Sequence, residues 1–321
     1  MNPFLRALSV LVVALVVQPV SAQTNWPDKP IKLVVGFTPG SATDVTGRLF
    51  AQKFQEAWGQ PVVVENVAGN SGAIGTDKVA KAAPDGYTLM WSGNAAITIL
   101  PSMQPLPFDP LKDFEPITTT LVMPSVFFVN NDLPVKSLAD LIAYAKANPG
   151  KLSYGTPGVG TPQHIAGELF SKLAGIKMEH VPYRGAQMND VLSGVVPVAI
   201  QNAGATIPLV REGRLRGLAV TSPRRSSGLP DLATVAEQGY PGFEATSWFA
   251  ILAPAGTPPA IQAKVREAAL KALADPELVK RLQAIGLDPV GSTGAETKAA
   301  IERDIPKWAQ VIKDAGIQPS R

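Results

Sequence analysis

Two short segments have the residue types of anion-binding turns. Residues 37–44 read Phe-Thr-Pro-Gly-Ser-Ala-Thr-Asp, and residues 154–164 read Tyr-Gly-Thr-Pro-Gly-Val-Gly-Thr-Pro-Gln-His. Their glycines let the main chain approach a ligand closely, and Thr161 before Pro162 is typical of a helix N-cap with proline at the first helical position. The free N–H groups and the positive dipole end of such a helix attract carboxylates and phosphates. We therefore expect the two turns to hold the two ends of a small anion.

The same turns lack the residues of a nucleotide site or an enzyme site. Neither has the lysine of a P-loop or the glycine spacing of a dinucleotide fingerprint. The two histidines, His164 and His180, form no His-Glu-X-X-His pair, and the chain has no Gly-X-Ser-X-Gly elbow. Asp44 lies in a first helical turn, where a carboxylate interacts favourably with the dipole and has a structural role. A binding protein is favoured over an exported hydrolase that would depend on Ser41 or His164, and we expect no cofactor and no metal.

The N-terminus has the three-part pattern of a secretory signal. Residues 1–6 carry one positive charge, residues 7–17 are almost wholly apolar, and a Val-Ser-Ala sequence precedes the cleavage site predicted after Ala22. The apolar stretch is too short to span a bilayer, which takes roughly 20 apolar residues. We therefore predict a signal peptide over residues 1–22 and a periplasmic location.

The composition excludes several other classes of protein. Of the 321 residues, 45% are hydrophobic and 17% are charged, which is typical of a folded globular chain. Cysteine is absent, so disulfides, thiolate nucleophiles and zinc–cysteine sites are excluded. The formal net charge is only +3, and apart from Arg224-Arg225 and residues 214–216 the basic residues are scattered. Because a nucleic-acid site needs a basic stripe, we expect no nucleic-acid partner.

Short β-rich runs alternate with amphipathic helical patterns, which predicts an α/β protein whose parallel sheets are flanked by helices. Strands are predicted at residues 31–37, 62–65, 87–91, 126–130, 152–155, 178–181, 196–201, 215–220 and 243–253. Helices are predicted at residues 43–58, 259–274, 276–285 and 295–315, between residues 75 and 83, after Ser137, and from near residues 161, 186 and 206.

Two chain crossings divide these elements into two lobes. We predict that residues 23–125 and 250–321 form the first lobe and residues 126–249 the second. Two crossings make a hinge, and a ligand binds in the cleft between hinged lobes. We expect a monomer that closes over its ligand, because a ligand in contact with both lobes favours the closed state.

Several motifs, taken together, connect the chain with a known family. The sequence resembles the Bug-type solute receptors of the tripartite tricarboxylate transporter systems over nearly the whole chain after the signal. The motifs that carry this resemblance lie at residues 26–30, 37–44, 65–66, 82–89, 154–164, 180–185, 218–221 and 253–258.

This resemblance implies a two-lobed periplasmic-binding-protein fold of type II, with a sheet and flanking helices in each lobe. It implies a small carboxylate ligand, delivered to the membrane permease subunits of a secondary transporter. A ligand-sensing partner of a periplasmic sensor domain is the alternative. In the first lobe, the implied ligand-binding residues are Thr38, Pro39, Gly40, Ser41, Ala42, Thr43, Asp44, Ser92 and Asn94. In the second lobe they are Thr156, Gly158, Gly160, Thr161, His164, Tyr183, Arg184, Gly185, Gln201 and Asn202.

Three positions depart from the family pattern. The family commonly has an aspartate where this chain has Gln201, and a neutral glutamine cannot pair with an ammonium group. We therefore expect a di- or tricarboxylate or a carboxylated aromatic compound rather than an amino acid. Residues 40–42 and 186–188 also differ from the usual sequences, which changes the shape expected for the cleft.

Overall fold

The computed structural model describes residues 26–183 and 187–317. The predicted signal peptide, residues 1–22, lies outside the described residues, as do Arg184 and Gly185. The strands are β1 (Ile31–Val35), β2 (Val62–Asn66), β3 (Thr88–Gly93), β4 (Phe114–Met123), β5 (Ser125–Val129), β6 (Ser153–Thr156), β7 (Glu179–Pro182), β8 (Val198–Asn202), β9 (Arg216–Val220), β10 (Ser247–Pro254) and β11 (Asp288–Pro289). The α-helices are α1 (Ala42–Trp58), α2 (Ala73–Ala80), α3 (Leu138–Ala147), α4 (Pro162–Ala174), α5 (Gln187–Leu192), α6 (Ala203–Arg211), α7 (Pro259–Leu273), α8 (Pro276–Ala284) and α9 (Gly294–Asp314).

These strands form two sheets. Sheet A has six strands in the order β11-β4-β10-β3-β1-β2, and sheet B has five in the order β7-β6-β8-β5-β9. In sheet A, β1 is parallel to β2 and β3, whereas β10 is antiparallel to β3 and β4. In sheet B, β6 is parallel to β7 and β8, whereas β5 is antiparallel to β8 and β9. The α/β class is confirmed, but the expectation of parallel sheets is wrong because β5 and β10, next to the chain crossings, enter their sheets in the reverse direction.

Strand β4 was not predicted from the sequence. Its threonines and Pro116 interrupt the apolar pattern that identifies a buried strand. In the structure these polar groups are satisfied inside the sheet: Thr120 Oγ1 donates to Phe249 O at 3.0 Å, and Thr118 Oγ1 donates to Ser292 O at 2.8 Å. Because buried hydroxyls with partners cost little, a Thr-rich segment occupies the second position of sheet A.

The two crossings connect the sheets through short segments. Strand β4 ends at Met123 and β5 begins at Ser125, so one residue separates the sheets there. The return crossing enters sheet A at Ser247, later than the predicted start at residue 243. The reason is that residues 243–246 still pack with sheet B: Ala245 N–H donates to Thr221 O at 3.0 Å, and Phe243 belongs to the sheet B core.

Helix α9 packs against the cores of both sheets. Ile301, in its first half, lies in a core cluster with residues of sheet A. Trp308, Val311 and Ile312, in its second half, lie in the main core cluster of sheet B. Pro306 lies inside the helix between these two sets. The last helix therefore joins the two sheets in addition to the two crossings.

Two glycines bring the ends of two helices into main-chain contact. A Cβ atom placed on Gly204 in α6 would lie 2.3 Å from Ile285 O, just after α8. A Cβ atom on Gly286, which has a φ of +73°, would lie 2.3 Å from Gly204 N. Since no side chain fits in this space, glycine at both positions permits the contact between elements of sheets A and B.

Candidate ligand-binding cleft

The first candidate turn lies at the carboxyl end of β1. Parallel strands bring their carboxyl ends to one edge of a sheet, and ligands of α/β proteins bind there. A Cβ atom on Gly36 would lie 2.8 Å from Gly72 Cα, so the turn after β2 packs directly against the end of β1. Thr38, Pro39 and Gly40 are exposed at this edge.

Ser41 caps helix α1 as the sequence pattern indicates. Its Oγ accepts a hydrogen bond from Asp44 N at 3.2 Å, which satisfies one of the free N–H groups of the first turn. Within the described chain, the N–H groups of Ala42 and Thr43 have no protein acceptor. They are the donors that this turn can offer to an anion.

Asp44 organises the turn from behind. It is buried, and its carboxylate accepts hydrogen bonds from Gly40 N at 2.9 Å, from Asn66 Nδ2 at 2.9 Å and from Arg48 Nε at 3.1 Å. Asn66 Nδ2 also donates to Phe37 O at 2.9 Å. Burial alone would raise the pKa of Asp44, but these donors outweigh it and lower the pKa. The carboxylate is fully engaged by the protein, which fits the structural role inferred for Asp44.

Replacement of Asp44 by asparagine is expected to lower the free energy of unfolding by about 2 kcal/mol at neutral pH. The amide would place an N–H₂ group against donors that now meet an oxygen. Asp140→Asn is the matched control, because Asp140 holds the equivalent position in α3, with a Ser137 cap and one main-chain donor, Lys136 N at 2.9 Å, but is exposed. Urea denaturation of both variants measures the difference, and equal losses would contradict the network argument.

The second candidate turn lies at the carboxyl end of β6 and leads into α4. Thr161 caps the helix: its Oγ1 accepts from His164 N at 3.3 Å and donates to Gly158 O at 2.8 Å. Gly158 and Gly160 have φ values of +156° and +72°. The φ of Gly160 lies in the left-handed region, which glycine adopts without strain.

Two stacked histidines hold this turn. The rings of His164 and His180 are 3.7 Å apart between centroids and 11° from parallel. His164 Nδ1 accepts from Gly160 N at 3.1 Å, and His180 Nε2 lies 2.7 Å from Thr156 Oγ1. Burial, with a further contribution from His180, lowers the pKa of His164 to about 3, and burial lowers the pKa of His180 to about 4. Both rings are therefore neutral at physiological pH.

The remaining candidate residues lie near the ends of β3, β7 and β8. Ser92 Oγ and Asn94 Nδ2 are bonded to main-chain oxygens, those of Gly93 at 2.9 Å and of Thr246 at 3.0 Å. Asn94 thereby ties β3 to the return crossing. Tyr183 N–H donates to Thr156 O at 2.9 Å, and its hydroxyl donates to Asp190 Oδ2 at 2.7 Å. Gln201 and Asn202 end β8 with half-buried side chains.

Elements of sheets A and B meet beside the second turn. A Cβ atom on Gly160 would lie 2.9 Å from Met103 Sδ, so the segment after β3 contacts the turn after β6. A cavity of about 70 Å³ at this junction is also lined by Asn70, Ser71 and Val159. Asn70 and Ser71 have left-handed φ values of 46° and 51°, and such strained residues cluster at ligand sites. The edge of sheet A therefore faces the anion-binding turn of sheet B.

Sequence reasoning missed several residues of these turns. His180 was interpreted as structural without its contact to Thr156, and Asn66 was quoted only as part of a motif. Gln163 and Gln187, both buried, were not considered as candidates. A buried amide needs partners, but the sequence does not reveal which ones because the partners are main-chain atoms distant in sequence.

Comparison with known proteins identifies the family. The family model described as "Tripartite tricarboxylate transporter family receptor" matches residues 46–317. The chain belongs to this family. The Bug-type resemblance is confirmed, since the chain is 39% identical over 305 residues to Protein BugT of Bordetella pertussis, covering 93% of this chain and 92% of BugT.

Solved structures of this receptor family share the fold. A protein of R. palustris solved with adipate has 36% identity and a TM-score of 0.76, over 92% of this chain and 100% of that protein. MatC from Rhodopseudomonas palustris, with bound malate, has 28% identity and a TM-score of 0.71, over 89% of this chain and 100% of MatC. The family consists of periplasmic receptors for small carboxylates rather than enzymes.

Two searches of the described residues concern other kinds of site. Across residues 26–183 and 187–317, no helix has both the length and the apolarity required to cross a bilayer. In the same ranges, no group of three or more His, Cys, Asp or Glu side chains could hold a metal ion.

Proposed function

We propose that the protein is a periplasmic receptor for a small di- or tricarboxylate or a carboxylated aromatic compound. The two sheets are the two lobes, with the predicted boundaries at residues 125/126 and 249/250, and the receptor delivers its ligand to the membrane subunits of a tripartite tricarboxylate transporter. The observation that carries the proposal is the pair of capped turns, after β1 and after β6, that leave main-chain donors such as Ala42 N–H and Thr43 N–H for an anion. Adipate and malate in two relatives support this ligand class.

The hydroxyl and imidazole groups of the turns support binding rather than hydrolysis. Ser41 Oγ accepts from Asp44 N, and His164 Nδ1 accepts from Gly160 N. A nucleophilic serine needs a base within hydrogen-bond reach, and His164 instead stacks on His180. Each group thus stabilises the turn to which it belongs.

A thermal-shift panel of succinate, malate, adipate, citrate and benzoate tests the ligand class. A ligand at about 1,000 times its Kd adds roughly 4 kcal/mol, which is expected to raise Tm by at least about 5 °C. Recovery of the unchanged compound after incubation checks that no turnover occurs. Absence of any shift, with protein shown by mass spectrometry to carry no ligand, would refute the proposed function.

Ala42→Pro is expected to weaken carboxylate binding about tenfold or more. The substitution removes one N–H at the first helical position, where proline is well tolerated, as Pro162 shows in the second turn. Ser41 has an extended conformation (φ −66°, ψ 160°) that suits a residue before proline. Calorimetric titration measures the affinity, and the Tm of the unliganded variant serves as the control. Unchanged affinity with unchanged Tm would remove this N–H from the binding site.

A further inference from the structure

The side-chain amide of Gln187 has a fixed orientation beneath the end of β8. Gln187 is 3% exposed, and its Nε2 donates to Gly155 O at 2.9 Å and to Ile200 O at 3.3 Å. A main-chain carbonyl only accepts, so the N–H₂ end must face these two oxygens. Oε1 of Gln187 must therefore face the opposite way, toward Gln201.

Gln201 is fixed at both ends by this arrangement. Its Nε2 donates to Gln187 Oε1 at 3.0 Å, and its Oε1 accepts from Asn202 N at 2.9 Å. The main-chain N–H of Asn202 only donates, so a flipped amide would place a donor against a donor and an acceptor against an acceptor. One hydrogen on Gln201 Nε2 remains without an acceptor in residues 26–183 and 187–317.

Asn202 presents the same polarity. Its Oδ1 accepts from Gln163 Nε2, which also donates to Ser125 Oγ at 3.1 Å. Asn202 precedes α6, but its side chain does not cap that helix. Its Nδ2 has no acceptor within the described ranges, and the side chain is half-buried. Two neighbouring amides at the carboxyl end of β8 thus have donors, and not carbonyls, to offer.

We propose that Gln187 and Gln163 are positioning residues that make this part of the cleft a donor-only surface for a ligand carboxylate. Gln201 and Asn202 would contact the carboxylate oxygens, while Gln187 and Gln163 act through them. An ammonium at this position meets N–H groups and finds no acceptor, so the surface selects a dicarboxylate over an amino acid of similar length. This inference rests on the proposed function and specifies the polarity of one end of its ligand.

The test compares carboxylate and ammonium ligands of similar length. Affinities are measured by calorimetry for succinate and adipate and for the amino acids β-alanine and ε-aminocaproate. For the protein without substitutions, the dicarboxylate is expected to bind at least about 100-fold more tightly than its amino counterpart. Gln201→Glu is expected to weaken dicarboxylate binding about 30-fold or more and to strengthen amino-acid binding. Gln201→Met, which keeps the size without charge, should weaken the dicarboxylate and give the amino acid no gain.

Gln187→Met tests the positioning role. Without Oε1 of Gln187, Gln201 can turn its carbonyl toward the ligand, so the preference for dicarboxylate over amino acid is expected to fall about tenfold. Gln238→Met is the matched control, because Gln238 Nε2 donates to the main-chain oxygen of Leu218 at 2.8 Å in the same sheet. That control loses a hydrogen bond of the same kind and should retain the preference.

The outcomes separate this inference from the proposed function. If no carboxylate binds the protein without substitutions, both are overturned. If a dicarboxylate binds and Gln201→Glu leaves the preference unchanged, the donor-only surface is refuted and the receptor function stands. If Gln187→Met and Gln238→Met change the preference equally, Gln187 has no positioning role.

Discussion

A shift from pH 7 to pH 4.5 is expected to lower the free energy of unfolding by about 3 kcal/mol, through His164 and His180 alone. The unfolded histidines titrate near the model value of 6.5, whereas burial lowers the folded pKa values to about 3 and about 4. Below pH 6.5 the unfolded chain therefore binds more protons than the folded chain, and stability falls as the pH falls. The loss continues until the folded pKa values are reached.

Groups that face the histidine pair affect this window in the other direction. Glu168 Oε1 lies 3.8 Å from His164 Nε2 and accepts from the Tyr154 hydroxyl at 2.6 Å. Burial raises the pKa of Glu168, with the hydrogen bond from Tyr154 opposing it, so folding of this carboxyl becomes more favourable as the pH falls. The value of about 3 kcal/mol is therefore set below the sum of two full histidine contributions, which one pKa unit at about 1.4 kcal/mol would give.

A double variant isolates the histidines. In His164→Asn with His180→Gln, amide oxygens and nitrogens replace Nδ1 and Nε2, so the bonds to Gly160 N and Thr156 Oγ1 have substitutes but no imidazole remains to titrate. Urea denaturation from pH 7 to pH 4.5 should show a much flatter profile for this variant, while Glu168 contributes equally to both proteins. Parallel profiles would show that the acid sensitivity arises elsewhere.

Gly204→Ala is expected to cost about 3 kcal/mol of stability, at the upper end of overpacking substitutions. The new methyl group would lie 2.3 Å from Ile285 O, and main-chain atoms on both sides leave no flexible side chain to move. Because the contact joins α6 of sheet B to the end of α8, the two groups of elements must separate there. The matched control is Gly93→Ala, since a Cβ atom on Gly93 would approach nothing nearer than Trp248 O at 3.7 Å.

Thermal and urea denaturation of the two alanine variants measure the effect. We expect the loss for Gly204→Ala to exceed that for Gly93→Ala by at least about 2 kcal/mol. Similar Tm values for the two variants would mean that α6 and the end of α8 can separate at little cost, contrary to the close packing of their main chains.

The sequence predicted those parts of the fold that follow from local patterns. Ser41 and Thr161 were identified as caps because a hydroxyl residue before an amphipathic run has a local effect on N–H groups three residues away. The strands on each side of the two turns were found within a few residues because apolar runs there coincide with burial. Strand direction could not be found, since antiparallel β5 and β10 have the same apolar composition as parallel strands.

The candidate site was predictable in position but not in its hydrogen-bonding. Asp44 follows the helix-dipole argument, whereas its bond to Asn66 depends on packing between residues 22 positions apart. The pairing of His164 with His180 likewise depends on the register of β6 and β7, which places Tyr154 opposite His180. The neutrality of Gln201 was clear from the sequence, but its orientation depends on carbonyls of β6 and β8 that only the folded chain brings to Gln187.

Helix α9 changes the degrees of freedom available to ligand capture. Two pieces of chain joined only by neighbouring strands rotate most easily about the line that the strands define. A helix anchored by Ile301 on one side and by Trp308 on the other adds a third attachment, so such a rotation must also deform the helix. The lowest elastic resistance lies at Pro306, which cannot donate to the carbonyl of Glu302. Bending at this residue would therefore set both the amplitude and the restoring force of closure, far from the carboxylate that triggers it.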